Sequence, residues 1–92
     1  MFGLDKKNAI VSGGSKGIGK AIAIKFAQAG ANVIICSRRK ENLEAAVAEA
    51  KSIGLTLFPF ECNTSSYSSI LSVTDYTLDK FGKVDILVNN AA

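Results

Sequence analysis

The sequence predicts an α/β fold, a doubly wound parallel sheet with strands in the order 3-2-1-4, on three observations. Short apolar runs alternate with longer segments of helical spacing, which is the pattern of βαβ units and not of hairpins. The run Asn32–Ser37 is apolar without alternation, as expected of a strand buried on both faces. Gly30, Gly54 and Gly82 stand at the ends of the three helical segments, where a left-handed residue stops a helix.

Taken in order, Asn8–Ser12 reads as a first strand that runs into a glycine-rich turn. A helix is predicted over 18–29, because Ile18, Ile22 and Phe26 recur at i, i+4 and i+8. The strand Asn32–Ser37 follows, and then a helix over Lys40–Ser52 with Leu43, Ala46, Val47 and Ala50 on one stripe. A third strand over 56–61 contains Pro59, which lacks a ladder donor and so marks an edge. Ser65 or Ser66 is the predicted cap of a third helix ending at Phe81, with Ile70, Val73 and Phe81 near one face. The run 84–88 supplies the fourth strand. Right-handed crossovers give the order 3-2-1-4, and all strands then point one way. Ser12, Ser37, Cys62 and Asn89 therefore end at one rim, with the topological switch between strands 1 and 4, where open α/β sheets bind ligands.

With 92 residues, 48% hydrophobic content, 21% charged and a net charge of +3, the chain has material for one folded unit and not for a disordered one. No run approaches the ~20 apolar residues of a membrane span, and residues 1–7 lack a signal-peptide layout, so a soluble cytoplasmic protein is expected. Cys36 and Cys62 lie 26 positions apart with no histidine in the chain. Zinc spacing and a Cys/His nucleophile pair are thus absent, and buried reduced thiols are expected. The basic run Arg38-Arg39-Lys40, with few aromatics around it, suits a local anion site and not a nucleic-acid track.

The informative segment is Ser12-Gly13-Gly14-Ser15-Lys16-Gly17-Ile18-Gly19, between the first strand and the first helix. Glycines there allow positive φ and close approach of backbone N–H groups to a phosphate, and the helix N-terminus adds partial positive charge. The dinucleotide spacing G-x-G-x-x-G does not fit. A triphosphate loop almost fits through Gly14, Gly19 and Lys20, but Ala21 stands where a magnesium-binding hydroxyl is needed.

This segment, together with Val84-Asp85-Ile86-Leu87-Val88-Asn89-Asn90-Ala91, resembles the N-terminal half of a short-chain dehydrogenase/reductase. The family's Thr-Gly-x-x-x-Gly-x-Gly begins here with Ser12, and its Asn-Asn-Ala-Gly ends here in Ala92. The resemblance covers essentially the whole chain and implies a Rossmann-like fold. It also implies cofactor-binding roles for Ser12, Gly13, Ser15, Lys16, Gly17, Ile18 and Gly19: the turn from Gly13 to Gly19 cradles the pyrophosphate of a nicotinamide cofactor, with the Ile18 backbone near its nicotinamide side. Asn90 and Ala91 are implied to lie against the adenosine ribose, with Asn89 bracing the sheet. Cys62 and Asn63 occupy the adenine-contacting positions, where the family usually has Asp and an aliphatic residue.

At the end of the second strand an acidic residue would bind the ribose 2′-OH of NAD. Ser37, Arg38 and Arg39 stand there instead, a hydroxyl and guanidinium groups suited to a 2′-phosphate. Lys16 is expected to add a further positive charge, and the expected cofactor is NADP(H). The implied activity is hydride transfer between NADP(H) and a small-molecule carbonyl or alcohol, in a homo-oligomer, as in carbonyl reductases. The family's catalytic Ser, Tyr and Lys fall beyond Ala92, so residues 1–92 read as the dinucleotide-binding half of a larger domain and contain no expected catalytic residue. Tyr76 and Lys80 match Tyr-x-x-x-Lys, but they lie on a crossover helix and are not assigned to catalysis. A stand-alone NADP(H)-binding module is the alternative, and a 3-oxoacyl-carrier-protein reductase is the alternative within the enzyme class.

Overall fold

The computed structural model describes residues 3–13, 15–62 and 67–89. The element order is β1 (Asn8–Ser12), α1 (Gly17–Gln28), β2 (Asn32–Ser37), α2 (Lys40–Ser52), β3 (Leu57–Glu61), α3 (Tyr67–Phe81) and β4 (Ile86–Asn89). Among the described residues the strands form one sheet in the order β3-β2-β1-β4, and every pairing is parallel. The doubly wound fold and the strand order agree with the sequence reading. No helix among the described residues is long and apolar enough to cross a membrane.

The period-2 alternation of a strand divides the core in two. Val11, Val33, Ile35 and Leu57 face α1 and α2, where they pack with Ala23, Leu43, Ala46 and Ala50. Ile10, Ile34 and Cys36 face α3 and pack with Val73, flanked by Phe58, Phe60 and Phe81. Because β2 is covered on both sides, Ile34 and Ile35 are both fully buried; each contributes roughly 1.5–3 kcal/mol. The absence of polar residues from the centre of β2 is explained by this placement.

Several boundaries and one face differ from the sequence reading; α1 ends at Gln28 and β4 at Asn89, each one residue from the expected end. β3 starts at Leu57, paired with Val33, and Thr56 stays outside the ladder. β4 starts at Ile86, because the residues before it are engaged by Asn8: the Asn8 Nδ2 donates to Lys83 O at 3.0 Å. The same Asn8 side chain accepts from Asn32 Nδ2 at 2.9 Å, which joins the starts of β1 and β2. α1 begins at Gly17, and Ile18 is 73% exposed. Ile18 is on the exposed side of α1, and the buried stripe is made by Gly19 and Ala23 with Ile22 and Phe26 beside them. The predicted cap positions Ser65 and Ser66 lie outside the described residues.

Candidate functional site

The carboxyl ends of the strands meet at one rim, and β1 delivers the glycine turn to it. Ser12 pairs with Cys36 of β2 and with Asn89 of β4, so it sits at the switch in strand order. The chain then turns sharply. Gly13 has φ 74°, and its N–H donates to Cys36 O at 2.9 Å. A second left-handed residue, Gly17 with φ 57°, opens α1. Both angles are favourable for glycine and costly for other residues. Gly14 lies outside the described residues.

The start of α1 is arranged for an anion. Its N-cap residue, Lys16, makes no side-chain capping hydrogen bond, and no acidic residue occupies the first turn. The first N–H groups of a helix have no intrahelical acceptor and carry the positive end of its dipole. Among the described residues nothing stands within 4 Å of the position a Cβ would take on Gly17. Lys16 and Ile18 are exposed there, whereas Ser15 and Gly19 are buried. Beneath the turn, the Ser12 Oγ is buried and has no hydrogen-bond partner among the described residues. A buried hydroxyl without a partner is uncommon and calls for a group to complete it.

The end of β2 forms the second part of the rim. The Ser37 hydroxyl accepts from the Arg39 N–H at 3.2 Å, which turns the chain into α2 and leaves both arginines exposed. Arg38 and Arg39 line an open recess of about 320 Å³. The arginines are not equivalent. Arg39 Nη1 lies 3.9 Å from Glu41 Oε1, while Arg38 has no ion pair among the described residues. A carboxylate therefore stands near the cations, in the first turn of α2, where it faces Arg39.

The end of β3 adds Cys62, whose N–H donates to Ser37 O at 2.9 Å. This bond carries the chain past β3 alongside β2, and Cys62 packs against the apolar cluster that contains Cys36. Sequence reasoning missed the contact because it depends on strand register across 26 positions. Cys36 is fully buried, and its Sγ donates weakly to Val11 O at 3.8 Å. Burial, with Cys62 beside it, pushes the Cys36 thiol up to about 12. Cys62 is half-buried; burial raises its pKa, and the neighbouring Cys36 thiol opposes that shift. Asn63, Asn90 and Ala91 lie outside the described residues.

A larger recess of about 550 Å³ lies on the outer surface of α3, lined by Ser72, Asp75, Tyr76, Leu78 and Asp79. Its carboxylates repel phosphate, so the arginine recess is the better anion site despite its smaller size. On the same helix Tyr76 packs against Phe60 with ring centroids 5.0 Å apart. The Lys80 ammonium lies 5.3 Å from the Phe58 centroid and 5.8 Å from that of Phe81. Both side chains of the Tyr-x-x-x-Lys pair thus rest on aromatic rings flanking the α3 side of the sheet.

Residues 7–92 match the family profile described as short chain dehydrogenase. The chain belongs to this family. It is 42% identical over 88 residues to 7alpha-hydroxysteroid dehydrogenase of Escherichia coli K12, covering 96% of this chain and 34% of that protein. The crystal structure of 2-keto-3-deoxy-D-gluconate dehydrogenase from Streptococcus agalactiae superposes with a TM-score of 0.91 at 33% identity, over 99% of this chain and 34% of that one. A metagenomic short-chain oxidoreductase crystallised with NADP gives a TM-score of 0.88 at 36% identity, over 97% and 40% of the two chains. This short chain dehydrogenase chain spans about a third of the length of the curated relatives it matches.

The family binds a nicotinamide cofactor, and the residues of this short chain dehydrogenase fit the phosphate part of one. Two left-handed glycines, the uncapped α1 N-terminus, the space that the described residues leave over Gly17 and the partnerless Ser12 hydroxyl all converge on the first turn.

Proposed function

We infer that this chain is the NADP(H)-binding part of a carbonyl or alcohol oxidoreductase. The observation that carries the reading is the pair of exposed guanidinium groups at the end of β2, lining one recess, with Arg38 free of any ion pair among the described residues. A 2′-phosphate offers an arginine the bidentate, charge-assisted hydrogen bonds that a bare ribose hydroxyl does not. The metagenomic relative solved with NADP supports the same reading.

On this reading Ser12, Gly13, Ser15, Lys16, Gly17 and Gly19 hold the pyrophosphate, the Ile18 backbone lies near the nicotinamide side, and Ser37, Arg38 and Arg39 hold the 2′-phosphate. Cys62 and Asn63 border the adenine, and Asn90 and Ala91 border its ribose. Lys16 adds positive charge from the turn. The bound cofactor supplies the hydride that is exchanged with the substrate. No residue of this chain is assigned to moving the substrate proton, and the substrate class is a small-molecule carbonyl or alcohol. Titration of the protein with NADPH and NADH tests the cofactor assignment. NADPH is expected to bind at least ~10-fold more tightly, a difference of about 1.4 kcal/mol, and equal affinities would overturn it.

A further inference from the structure

We propose that Cys36 and Cys62 form an oxidisable thiol pair at the rim, closed to a disulfide by a small two-electron oxidant such as hydrogen peroxide. The pair is created by strand register. Cys36 stands opposite Phe60, and the hydrogen bond from the Cys62 N–H to Ser37 O holds the chain just past β3 against the end of β2. Cys36 belongs to the apolar cluster on the α3 side of the sheet, and Cys62 packs against that cluster.

A register offset of two residues separates the Cα atoms by more than a direct cross-strand pair, so bridging requires one backbone to move. The structure decides which one. β2 is hydrogen-bonded on both sides, by β1 and by β3. β3 is at the sheet edge, and Cys62 lies past its last strand residue, Glu61. Movement therefore falls on Cys62.

The two thiols are unequal in access. Cys36 is fully buried, whereas Cys62 is half-buried and meets the oxidant first. The Cys62 sulfur attacks one peroxide oxygen, the O–O bond breaks, and a sulfenic acid and water result. The Cys36 sulfur then attacks the Cys62 sulfur, the S–O bond breaks, and the hydroxyl leaves as water with the Cys36 proton. In sum, two thiols lose two electrons and two protons, and one peroxide becomes two waters. Burial keeps both thiols mainly neutral, so the reaction is slow and favours an oxidant small enough to enter beside β3. The bridge would pin the border of the crevice next to Ser37 and Arg38, and its effect on cofactor affinity rests on the NADP(H) reading above.

The test treats the folded protein with hydrogen peroxide, blocks the remaining thiols and maps the peptides by mass spectrometry. A Cys36 peptide joined to a Cys62 peptide is expected, two hydrogens lighter than the reduced pair and separated by dithiothreitol. Cys36→Ser should leave Cys62 as a sulfenic acid trapped by dimedone, and Cys62→Ser should leave Cys36 reduced. Wild-type protein that accumulates unlinked Cys62 sulfinic acid overturns the proposal, as does folded protein with both thiols still reduced after excess peroxide has acted for many times the period that consumes a free-thiol control. NADPH affinity is then measured before and after bridging. An unchanged Kd in the bridged protein removes the link to the crevice. Failure of the reduced protein to bind NADPH overturns the cofactor reading and leaves the covalent result intact.

Discussion

Asn8 and Asp85 are joined in both directions: the Asn8 N–H donates to Asp85 Oδ2 at 2.8 Å, and the Asp85 N–H donates to Asn8 O at 2.9 Å. The pair fastens the chain entering β4 to the first residue of β1 across 77 positions. Hydrogen bonding from the Asn8 N–H holds the Asp85 carboxyl below the usual carboxylate range, with the Lys83 ammonium, 3.5 Å away, acting in the same direction.

A depressed folded-state pKa stabilises the protein above the unfolded value, about 3.9 for an aspartate, and that contribution is lost as pH falls through the folded value. Thermal melts should therefore show a loss of stability as pH is lowered below about 4. Asp85→Asn should lower Tm at neutral pH by roughly a few degrees and flatten that acid limb. An acid limb of unchanged slope would show that other carboxylates control it.

Arg38→Asp should reverse the cofactor preference from NADPH to NADH, since it exchanges the unpaired cation for a carboxylate that repels a 2′-phosphate and accepts from a ribose hydroxyl. Arg39→Ala should have the smaller effect, because Glu41 already shares that guanidinium. Dissociation constants for both cofactors, measured by fluorescence or calorimetry, give the comparison.

Gly17→Ala separates backbone strain from site occupancy. With φ 57° and open space around it among the described residues, the substitution should cost about 1–2 kcal/mol of stability without a clash with them. Gly54→Ala is the control, because Gly54 also has positive φ, 81°, and open space but follows α2 away from the rim. Denaturant melts should show similar losses for the two variants. Only Gly17→Ala should weaken NADPH binding, since its methyl group enters the space over the glycine turn.

Tyr76→Phe should leave kcat of the whole enzyme within about twofold, an effect under ~0.5 kcal/mol on the barrier, because the ring contact with Phe60 needs no hydroxyl. Lys80→Ala should lower stability by about 0.5–1 kcal/mol through its lost contacts with Phe58 and Phe81, with kcat likewise retained. Loss of turnover in Tyr76→Phe without loss of fold would assign this tyrosine to the chemistry.

What could be read from the sequence was whatever depends on local pattern. β1, β2 and α2 have the bounds expected from apolar runs and helical stripes, and Pro59 placed β3 at an edge. The errors arose where a distant partner overrides local pattern. Val84 and Asp85 look like strand, yet residues 83 and 85 bond Asn8. Ile18 fits the helical spacing, yet it is exposed while Ile22 and Phe26 pack on the core. At the rim, the glycine turn and the arginines were legible as types and spacings. The lack of a partner for Ser12, the Glu41 contact to Arg39 and the meeting of two thiols were not, because each is set by three-dimensional neighbours.

The two edges of the sheet differ in a way that gives it a direction of growth. On β3, Pro59 withholds a donor and Glu61 is exposed, two devices that discourage another strand from joining. β4 has neither: it reads Ile86-Leu87-Val88-Asn89, and Leu87, which pairs with Ile10 on the α3 face, is 53% exposed. One side of the sheet is finished against intermolecular pairing and the other is adhesive. A protein holding only these elements would tend to associate through β4, and additional chain laid on that edge would act as its solubiliser as much as its extension.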